Sequence, residues 1–181
     1  MRADGVYDRN FKQAALRLAL RYAPGEKFVQ AVTSRKPINL DAPVFMLTHE
    51  FGPRGLFGAD FTLNKTELSI QKRFWFSAFG YADIILKGGI IWSKVQFPAL
   101  LWQNANISYT IQPESYTLLN PMEFAMDKFA SLDLTYFMNG LIFNRIPLIK
   151  KLKLREVFTF KGFAGSLSKK NNPEYNDDLY R

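Results

Sequence analysis

Apolar and polar residues alternate along several long segments of the chain, which is the period expected of β-strands. In the segment Phe11–Tyr22, leucines recur at every second position from Leu16 and are separated by Arg17, Ala19 and Arg21. A helix remains an alternative for this segment, because Arg17 and Arg21 are spaced to share one helical face.

Alternation elsewhere predicts an all-β fold of roughly seven or eight strands in a single domain, 1–181. The other strand segments are Phe28–Thr33, Val44–Phe51, Phe61–Phe76, Gly80–Trp92, Ala105–Gln112, Leu132–Phe143 and Leu154–Ala164. Gly88-Gly89 predicts a bulge or bend. One short helix is predicted near residues 121–130, where Pro121 suits the first turn. The polar tail, 169–181, is predicted to be mobile.

The length of these strands indicates a membrane setting. Several are about ten residues or longer, whereas strands in soluble domains average about 5–6 residues, and a tilted strand needs about 9–11 residues to cross a bilayer. Only a closed sheet satisfies all of its backbone hydrogen bonds in hydrocarbon. We therefore expect an antiparallel transmembrane β-barrel, incomplete in this chain.

The alternation assigns one set of side chains to the interior of such a barrel and another to lipid. The charges expected to face the lumen are Arg17, Arg21, Glu67, Arg73, Asp83, Lys87, Asp133, Arg155 and Lys161. The side chains expected to face lipid are Leu16, Leu18, Leu20, Ile84, Leu86, Leu134, Phe158 and Phe160. A soluble sheet with one wet face gives the same alternation, so this pattern alone does not decide between the two settings.

Composition narrows the possible chemistry. The chain has no cysteine, one histidine (His49) and an aromatic share of 15%, the last being typical of β architectures. Without cysteine there is no disulfide and no thiolate site. Neither a phosphate-binding loop nor a G-x-S-x-G elbow occurs. Glu123 and Asp127 would share a helix face, but we interpret them as a solvated helical turn rather than an acid–base or cation site. We expect a protein that is not an enzyme and that binds no cofactor or metal.

A basic segment joins the last two predicted strands. Asn144–Lys153 and the next residues interleave cations with Ile and Leu; the cations are Arg145, Lys150, Lys151, Lys153 and Arg155. Nucleic-acid binding is an alternative, but no stacking platform or named motif accompanies the charges. Lysine and arginine beside apolar residues suit a membrane interface, which we expect for this connector.

No signal peptide and no transmembrane helix are predicted. Met1–Asn10 is polar and charged, and no apolar segment follows it. The longest uncharged run, Val95–Pro113, is interrupted by polar residues and proline. The net charge of +8 is spread over both halves of the chain, which argues against a dedicated nucleic-acid arm.

Several short segments together form a recognisable set: Arg21–Phe28, Gly52–Gly58, Met122–Phe124 with Asp127, Asn139-Gly140, Asn144–Leu148, Lys151–Lys153 and Arg155-Glu156. Through these segments most of the chain, roughly Phe11 to Asn172, resembles a Gram-negative outer-membrane barrel family catalogued as being of unknown function. The resemblance implies full-length members with an N-terminal carboxypeptidase-regulatory-like domain. It also implies a barrel similar to the surface antigen barrels of outer-membrane assembly and two-partner secretion. The regulatory domain and a terminal aromatic strand are missing here, so we expect a barrel fragment.

The sequence thus predicts a non-enzymatic outer-membrane protein that contacts lipid, with transport or assembly of envelope components as its role and other envelope proteins as partners. One alternative is a soluble, lipocalin-like barrel, which would have an apolar interior and a charged exterior. Another is a basic nucleic-acid-binding sheet, whose affinity would fall steeply with salt.

Overall fold

The computed structural model describes residues 12–30, 32–110 and 112–176, which are mostly antiparallel β-sheet with one α-helix. The helix, α1, is a single turn at Pro147–Lys150. The strands are β1 Leu16–Tyr22, β2 Phe28–Gln30, β3 Arg35–Pro37, β4 Val44–Gly52, β5 Leu63–Trp75, β6 Tyr81–Ile91, β7 Leu101–Trp102, β8 Ala125–Met126, β9 Lys128–Phe137 and β10 Val157–Ser166.

Six of these strands form one antiparallel sheet in the order β1-β4-β5-β6-β9-β10. Strands β2 and β3 form a separate hairpin between β1 and β4, and β7 pairs with β8 between β6 and β9. Within the described residues the sheet is open, with β1 and β10 at its edges. The antiparallel β architecture is therefore confirmed, whereas the closed transmembrane barrel is not.

The register sorts the side chains onto two faces. Leu20 pairs with Leu47, which pairs with Leu68, and the same row continues through Gly88 and Ala130. We call this side of the sheet the apolar face and the opposite side, with Arg17 and its alternating neighbours, the polar face. Because each pairing preserves the alternation, the positions that alternate with Leu20 lie on the same side in all six strands.

The buried core lies on the polar face, at one end of the sheet. Its buried members are Phe61, Leu63, Ile91, Val95, Leu100, Leu101 and Met126. We call residues 92–127, which connect β6 to β9, the insertion. The insertion folds back onto the polar face and supplies four of the core residues: Val95, Leu100, Leu101 and Met126. Apolar burial is therefore concentrated where the insertion meets the sheet.

Buried polar groups connect the segment after β10 to this core. Asp127 and Asn171 are both 0% exposed, and Asn171 Nδ2 donates to Asp127 Oδ2 at 3.1 Å. The backbone N–H of Val95 donates to Asn171 Oδ1 at 3.0 Å, and Ser168 donates to Asp127 from its N–H and its hydroxyl. Sequence patterning predicted a mobile tail from residue 169; Asn171 of that tail makes two of these bonds to the core, and the mobility of the tail stays a prediction. Residues 177–181 of that tail lie outside the described residues.

The helix predicted near residues 121–130 is wrong. Ala125–Met126 pairs with β7, and Lys128 begins β9, which lies between β6 and β10. Strand pairing with distant segments therefore overrides the local preference for a helix. The only α-helix of the described residues is the turn at Pro147–Lys150 in the basic connector, where proline occupies the first turn.

Three further predictions differ from the structure in detail. Pairing of β5 with β6 continues through Gly88 and Gly89 without a bulge. In the predicted strand at 105–112, Ala105 forms only an isolated bridge to Tyr116, and Ile111 lies outside the described residues. The last two long strands are β9, which begins at Lys128, and β10, which ends at Ser166, so both are offset from the predicted segments.

Candidate functional site

A continuous band of apolar side chains crosses the apolar face of all six strands. Leu18 and Leu20 of β1 are 60% and 55% exposed, and Leu86 in the middle of the sheet is 45% exposed. All of the side chains predicted to face lipid lie in it. The band consists of Leu16, Leu18, Leu20, Tyr22, Phe45, Leu47, Leu68, Ile70, Ile84, Leu86, Leu132, Leu134, Phe158 and Phe160.

Aromatic rings flank this band at both ends of the strands. We call the end of the sheet where β1 ends and β4 begins the first end, and the opposite end the second end. At the first end, Tyr22 stacks on Phe45 with ring centroids 6.3 Å apart, and Phe76 meets Tyr136 edge-on at 5.9 Å. The second end carries Phe51, next to Leu16 in the register, and the exposed Trp92.

Trp92 and His49 both form a hydrogen bond with the Thr66 hydroxyl on the apolar face. Trp92 Nε1 donates to Thr66 Oγ1 at 2.9 Å, and His49 Nδ1 is hydrogen-bonded to the same hydroxyl at 2.9 Å. The single histidine of the chain is therefore part of a small hydrogen-bonded group within β4 and β5. These two contacts bring no carboxylate to the imidazole.

The predicted lumen charges lie on the polar face, with one exception. Arg17, Arg21, Glu67, Arg73, Asp83, Lys87, Asp133 and Lys161 occupy polar-face positions of their strands. Arg155 precedes β10 and is not part of the sheet. Sequence reasoning omitted Glu50 and Lys65, although both follow the same alternation.

Ion pairs across neighbouring strands and within one strand neutralise part of this charge. Arg17 Nε lies 3.3 Å from Glu50 Oε1, and Lys65 Nζ lies 3.0 Å from Glu67 Oε1. These pairs are partly exposed to solvent, so each contributes little to stability on its own.

Arg73 and Asp83 form the most complete of these pairs. Arg73 donates to both carboxylate oxygens of Asp83, at 2.6 and 2.7 Å. The guanidinium lies 4.2 Å from the centroid of the Tyr81 ring, and Tyr81 stacks on Phe137 at 4.6 Å. Bidentate geometry with ring contacts holds the arginine in one orientation across β5 and β6.

The insertion covers part of the polar face. Lys161 Nζ of β10 donates to the carbonyls of Pro113 and Ser115, and Tyr116 packs against Phe163 with ring centroids 5.1 Å apart. Burial raises the pKa of Tyr116; a hydrogen bond to Ser131 opposes this shift, and the Asp133 carboxylate adds to it. These contacts fix the insertion across β9 and β10.

A polar cavity of about 320 Å³ lies between the insertion and the middle strands. Charged side chains in its wall are Lys65, Glu67, Lys87, Glu114 and Asp133. Two buried atoms of the wall, Trp102 Nε1 and Asp133 Oδ1, have no hydrogen-bond partner among the described residues. Trp102 lies in the irregular insertion, where no periodicity could have identified it as part of this wall.

The basic connector leaves the sheet at its first end. Its four predicted interface cations, Arg145, Lys150, Lys151 and Lys153, are exposed, and so are the apolar side chains of Leu148 (80%) and Leu152 (66%). The helix α1 and two turns give the connector a defined backbone.

Glu156 anchors the connector from its base. Its Oε1 accepts hydrogen bonds from the backbone N–H groups of Ile142, at 3.0 Å, and Phe143. Burial alone would raise the pKa of Glu156, but the backbone hydrogen bonds outweigh burial and lower it.

The structure separates the two carboxylates that the sequence placed on one helix face. Glu123 Oε2 accepts from the backbone N–H of Asn120 at 2.8 Å, whereas Asp127 is buried in the core. Among residues 12–30, 32–110 and 112–176, no three His, Asp or Glu side chains cluster as a metal would require. No helix in the described part of the chain is long and apolar enough to cross a membrane.

Comparison with known proteins adds a family but no activity. A family model described as the C-terminal domain of a family of unknown function (DUF5686) matches residues 7–177. No curated protein and no solved structure shows a match. The family description states no substrate or partner, so function has to be argued from the geometry.

Proposed function

The chain belongs to the C-terminal domain of the family of unknown function DUF5686, and on this premise we propose that it forms part of an outer-membrane β-barrel. In this proposal the apolar face contacts lipid and the polar face lines an aqueous interior. The protein has no catalytic role and serves the transport or assembly of envelope components.

The observation that carries this proposal is the uncovered apolar band. It extends across six strands, and Leu18, Leu47 and Leu86 within it remain 60%, 41% and 45% exposed. Burying apolar surface is worth roughly 25 cal/mol per Å². A band of this extent facing water would favour aggregation, whereas contact with lipid hydrocarbon removes the band from water.

The alternative of a soluble, lipocalin-like barrel requires the opposite arrangement of faces. Its apolar side chains would line the interior and its charges would face water. Here the insertion and the buried core pack on the polar face, through contacts such as Tyr116 with Phe163. This packing supports the polar face as the inner one and leaves the apolar face outside.

The open edges of the sheet fit a larger assembly. In hydrocarbon the unpaired N–H and C=O groups of β1 and β10 would each cost several kcal/mol, by the general order of about 2–7 kcal/mol for an unpaired amide. We propose that further strands of the parent protein pair with both edges. The resemblance of residues 11–172 to a Gram-negative outer-membrane barrel family supports the same arrangement, because that family is expected to place a regulatory-like domain ahead of a barrel similar to the surface antigen barrels.

Fractionation of cells that express the intact parent protein tests the location. We expect the protein in the outer-membrane fraction, with a gel mobility that changes on boiling, as closed barrels unfold only when heated. Recovery in the soluble fraction with no heat-dependent shift would contradict the proposal.

The three tryptophans provide a test of which face meets lipid. Variants of the parent protein that retain only Trp92 or only Trp102 of these three are reconstituted into vesicles containing brominated lipid. Trp92, beside the apolar face, should be strongly quenched, and Trp102, on the polar-face side, should not. Stronger quenching of Trp102 would favour the lipocalin-like arrangement of faces.

A further inference from the structure

The basic charge of the chain is concentrated beyond one end of the strands. Two charged connections leave the sheet there, beside the uncharged turn at 76–80: residues 23–43, which contain the β2–β3 hairpin, and residues 138–156, which contain the basic connector. Their cations are Lys27, Arg35, Lys36, Arg145, Lys150, Lys151, Lys153 and Arg155, against the acids Glu26, Asp41 and Glu156. We call these two connections together the basic end.

Two of the three acids of the basic end are already engaged. Arg21 donates to both carboxylate oxygens of Glu26, at 2.7 and 2.8 Å. Glu156 accepts backbone N–H groups of its own connector. Little negative charge is therefore left to oppose the exposed cations.

The opposite end of the strands is balanced. Connections 53–62, 92–127 and 167–176 leave the sheet there. Their charges are Arg54, Lys94, Lys169 and Lys170 against Asp60, Glu114, Glu123, Asp127 and Glu174. The basic end thus carries a net charge of +5, eight cations against three acids, whereas these three connections together carry −1, four cations against five acids.

Apolar side chains accompany the cations in both connections of the basic end. Val29 and Ile38 of the hairpin region are 53% and 60% exposed, and Arg35 lies 4.9 Å over the ring of Phe28. In the connector, Leu148 and Leu152 are the exposed apolar side chains beside the cations. Cations mixed with exposed apolar side chains match the boundary between headgroups and acyl chains.

We propose that the basic end docks on the phosphate-rich headgroups of an anionic lipid leaflet and thereby sets the orientation of the sheet in the membrane. This inference rests on the proposed function, because the apolar band must already place the strands in lipid. It adds the chemistry of the partner and assigns the hairpin at residues 23–43 to the same surface as the connector. Lys and Arg near an anionic leaflet attract it by a roughly additive amount per charge, which falls off within a Debye length of about 8–10 Å.

Vesicles of defined composition test the proposal with the intact parent protein. Its assembly rate is measured into neutral phosphatidylcholine vesicles and into vesicles that also contain phosphatidylglycerol, at low and high salt. We expect anionic vesicles to accelerate assembly by about tenfold or more at low salt, and high salt to remove the difference.

Charge-neutral variants locate the effect. Combining K150Q, K151Q and K153Q with R35Q and K36Q should abolish the preference for anionic vesicles. Replacing the same five residues so that charge is kept (K150R, K151R, K153R, R35K, K36R) should preserve it. The control R54Q with K169Q, at the opposite end, should leave it unchanged.

The outcomes distinguish failure of the docking surface from failure of the proposed membrane function. If the unaltered protein assembles into neither type of vesicle, the proposed membrane function fails and the docking surface falls with it. If the unaltered protein assembles equally well into both types of vesicle, only the docking surface is wrong. The same conclusion holds if R54Q with K169Q removes the preference for anionic vesicles as fully as the five-residue neutral variant does.

Discussion

The ring of Phe129 lies so close to the backbone of Gly89 that a Cβ atom on Gly89 would approach Phe129 Cε1 to 2.5 Å. The two residues are directly paired across β6 and β9. Gly88 beside them has ordinary space, since a Cβ there would meet only Phe129 O at 3.6 Å. Glycine is therefore required at position 89 to seat an aromatic ring at the rim of the core.

We expect Gly89→Val to destabilise the fold by about 1–3 kcal/mol, because the added side chain overpacks against Phe129. Gly88→Ala is the matched control and should be close to neutral, as alanine also restricts the unfolded chain. Denaturant unfolding of both variants measures the difference. Equal stability of the two would mean that the Phe129 ring moves away at no cost.

Aspartate on the apolar band should block membrane assembly. Leu18→Asp and Leu86→Asp place a charge where the proposal puts lipid, at a cost that grows toward the bilayer midplane and is about 1–2 kcal/mol there for an acid. Ala19→Asp, on the polar face one residue away, is the control and should assemble. Assembly is followed as the heat-modifiable fraction on gels. A defect in Ala19→Asp alone would show that the two faces are inverted.

Removing the buried amide of Asn171 should loosen the segment after β10. Asn171→Ala leaves the Val95 N–H and one oxygen of Asp127 without this partner, and an unsatisfied buried group costs about 1–3 kcal/mol. Asn176→Ala, which removes surface hydrogen bonds to Lys94 and the Lys169 carbonyl, should cost less. Limited proteolysis after β10 and denaturant unfolding report the two effects. Resistance of Asn171→Ala to both would show that the buried bonds are dispensable.

Acid should release the anchoring of the basic connector by Glu156. The pKa of Glu156 is lowered in the folded chain, so its contribution is present above the ordinary glutamate pKa and is lost as pH falls through the lowered folded value. Hydrogen exchange at Ile142 and Phe143, corrected for intrinsic pH dependence, should accelerate over that range. Glu156→Gln should show fast exchange already at neutral pH, and unchanged protection in that variant would rule out the anchor.

Sequence patterning identified the two faces well because the pleat has a fixed period of two. Leu18 and Arg17 are adjacent in the sequence, so the pleat places them on opposite sides of the sheet. The register then pairs apolar-face positions with apolar-face positions in the next strand, and Leu86 and Asp83 lie on opposite faces for the same reason. The sequence alone could therefore predict an apolar face with aromatic residues at its ends.

What patterning missed depends on contacts between distant residues. Pro121, Glu123 and Asp127 have the spacing of a short helix, but Asp127 is buried by Asn171, which is far along the chain. The seating of Phe129 over Gly89 needs the register itself, which no single segment specifies. The concentration of charge at one end became visible only when topology placed residues 23–43 and 138–156 beyond the same ends of the strands.

The order of strands in the large sheet has a consequence for how the chain folds. Each strand pairs with the next long strand in sequence, so β4, β5 and β6 can join as successive hairpins with short loops to close. The pairing of β6 with β9 has the longest connection to span, residues 92–127, compared with 23–43 between β1 and β4 and 138–156 between β9 and β10. The entropic cost of closing a loop grows with its length, so we expect the pairing of β6 with β9 to be the slow step of folding. Before that step, β1, β4, β5 and β6 can pair as one unit and β9 and β10 as another.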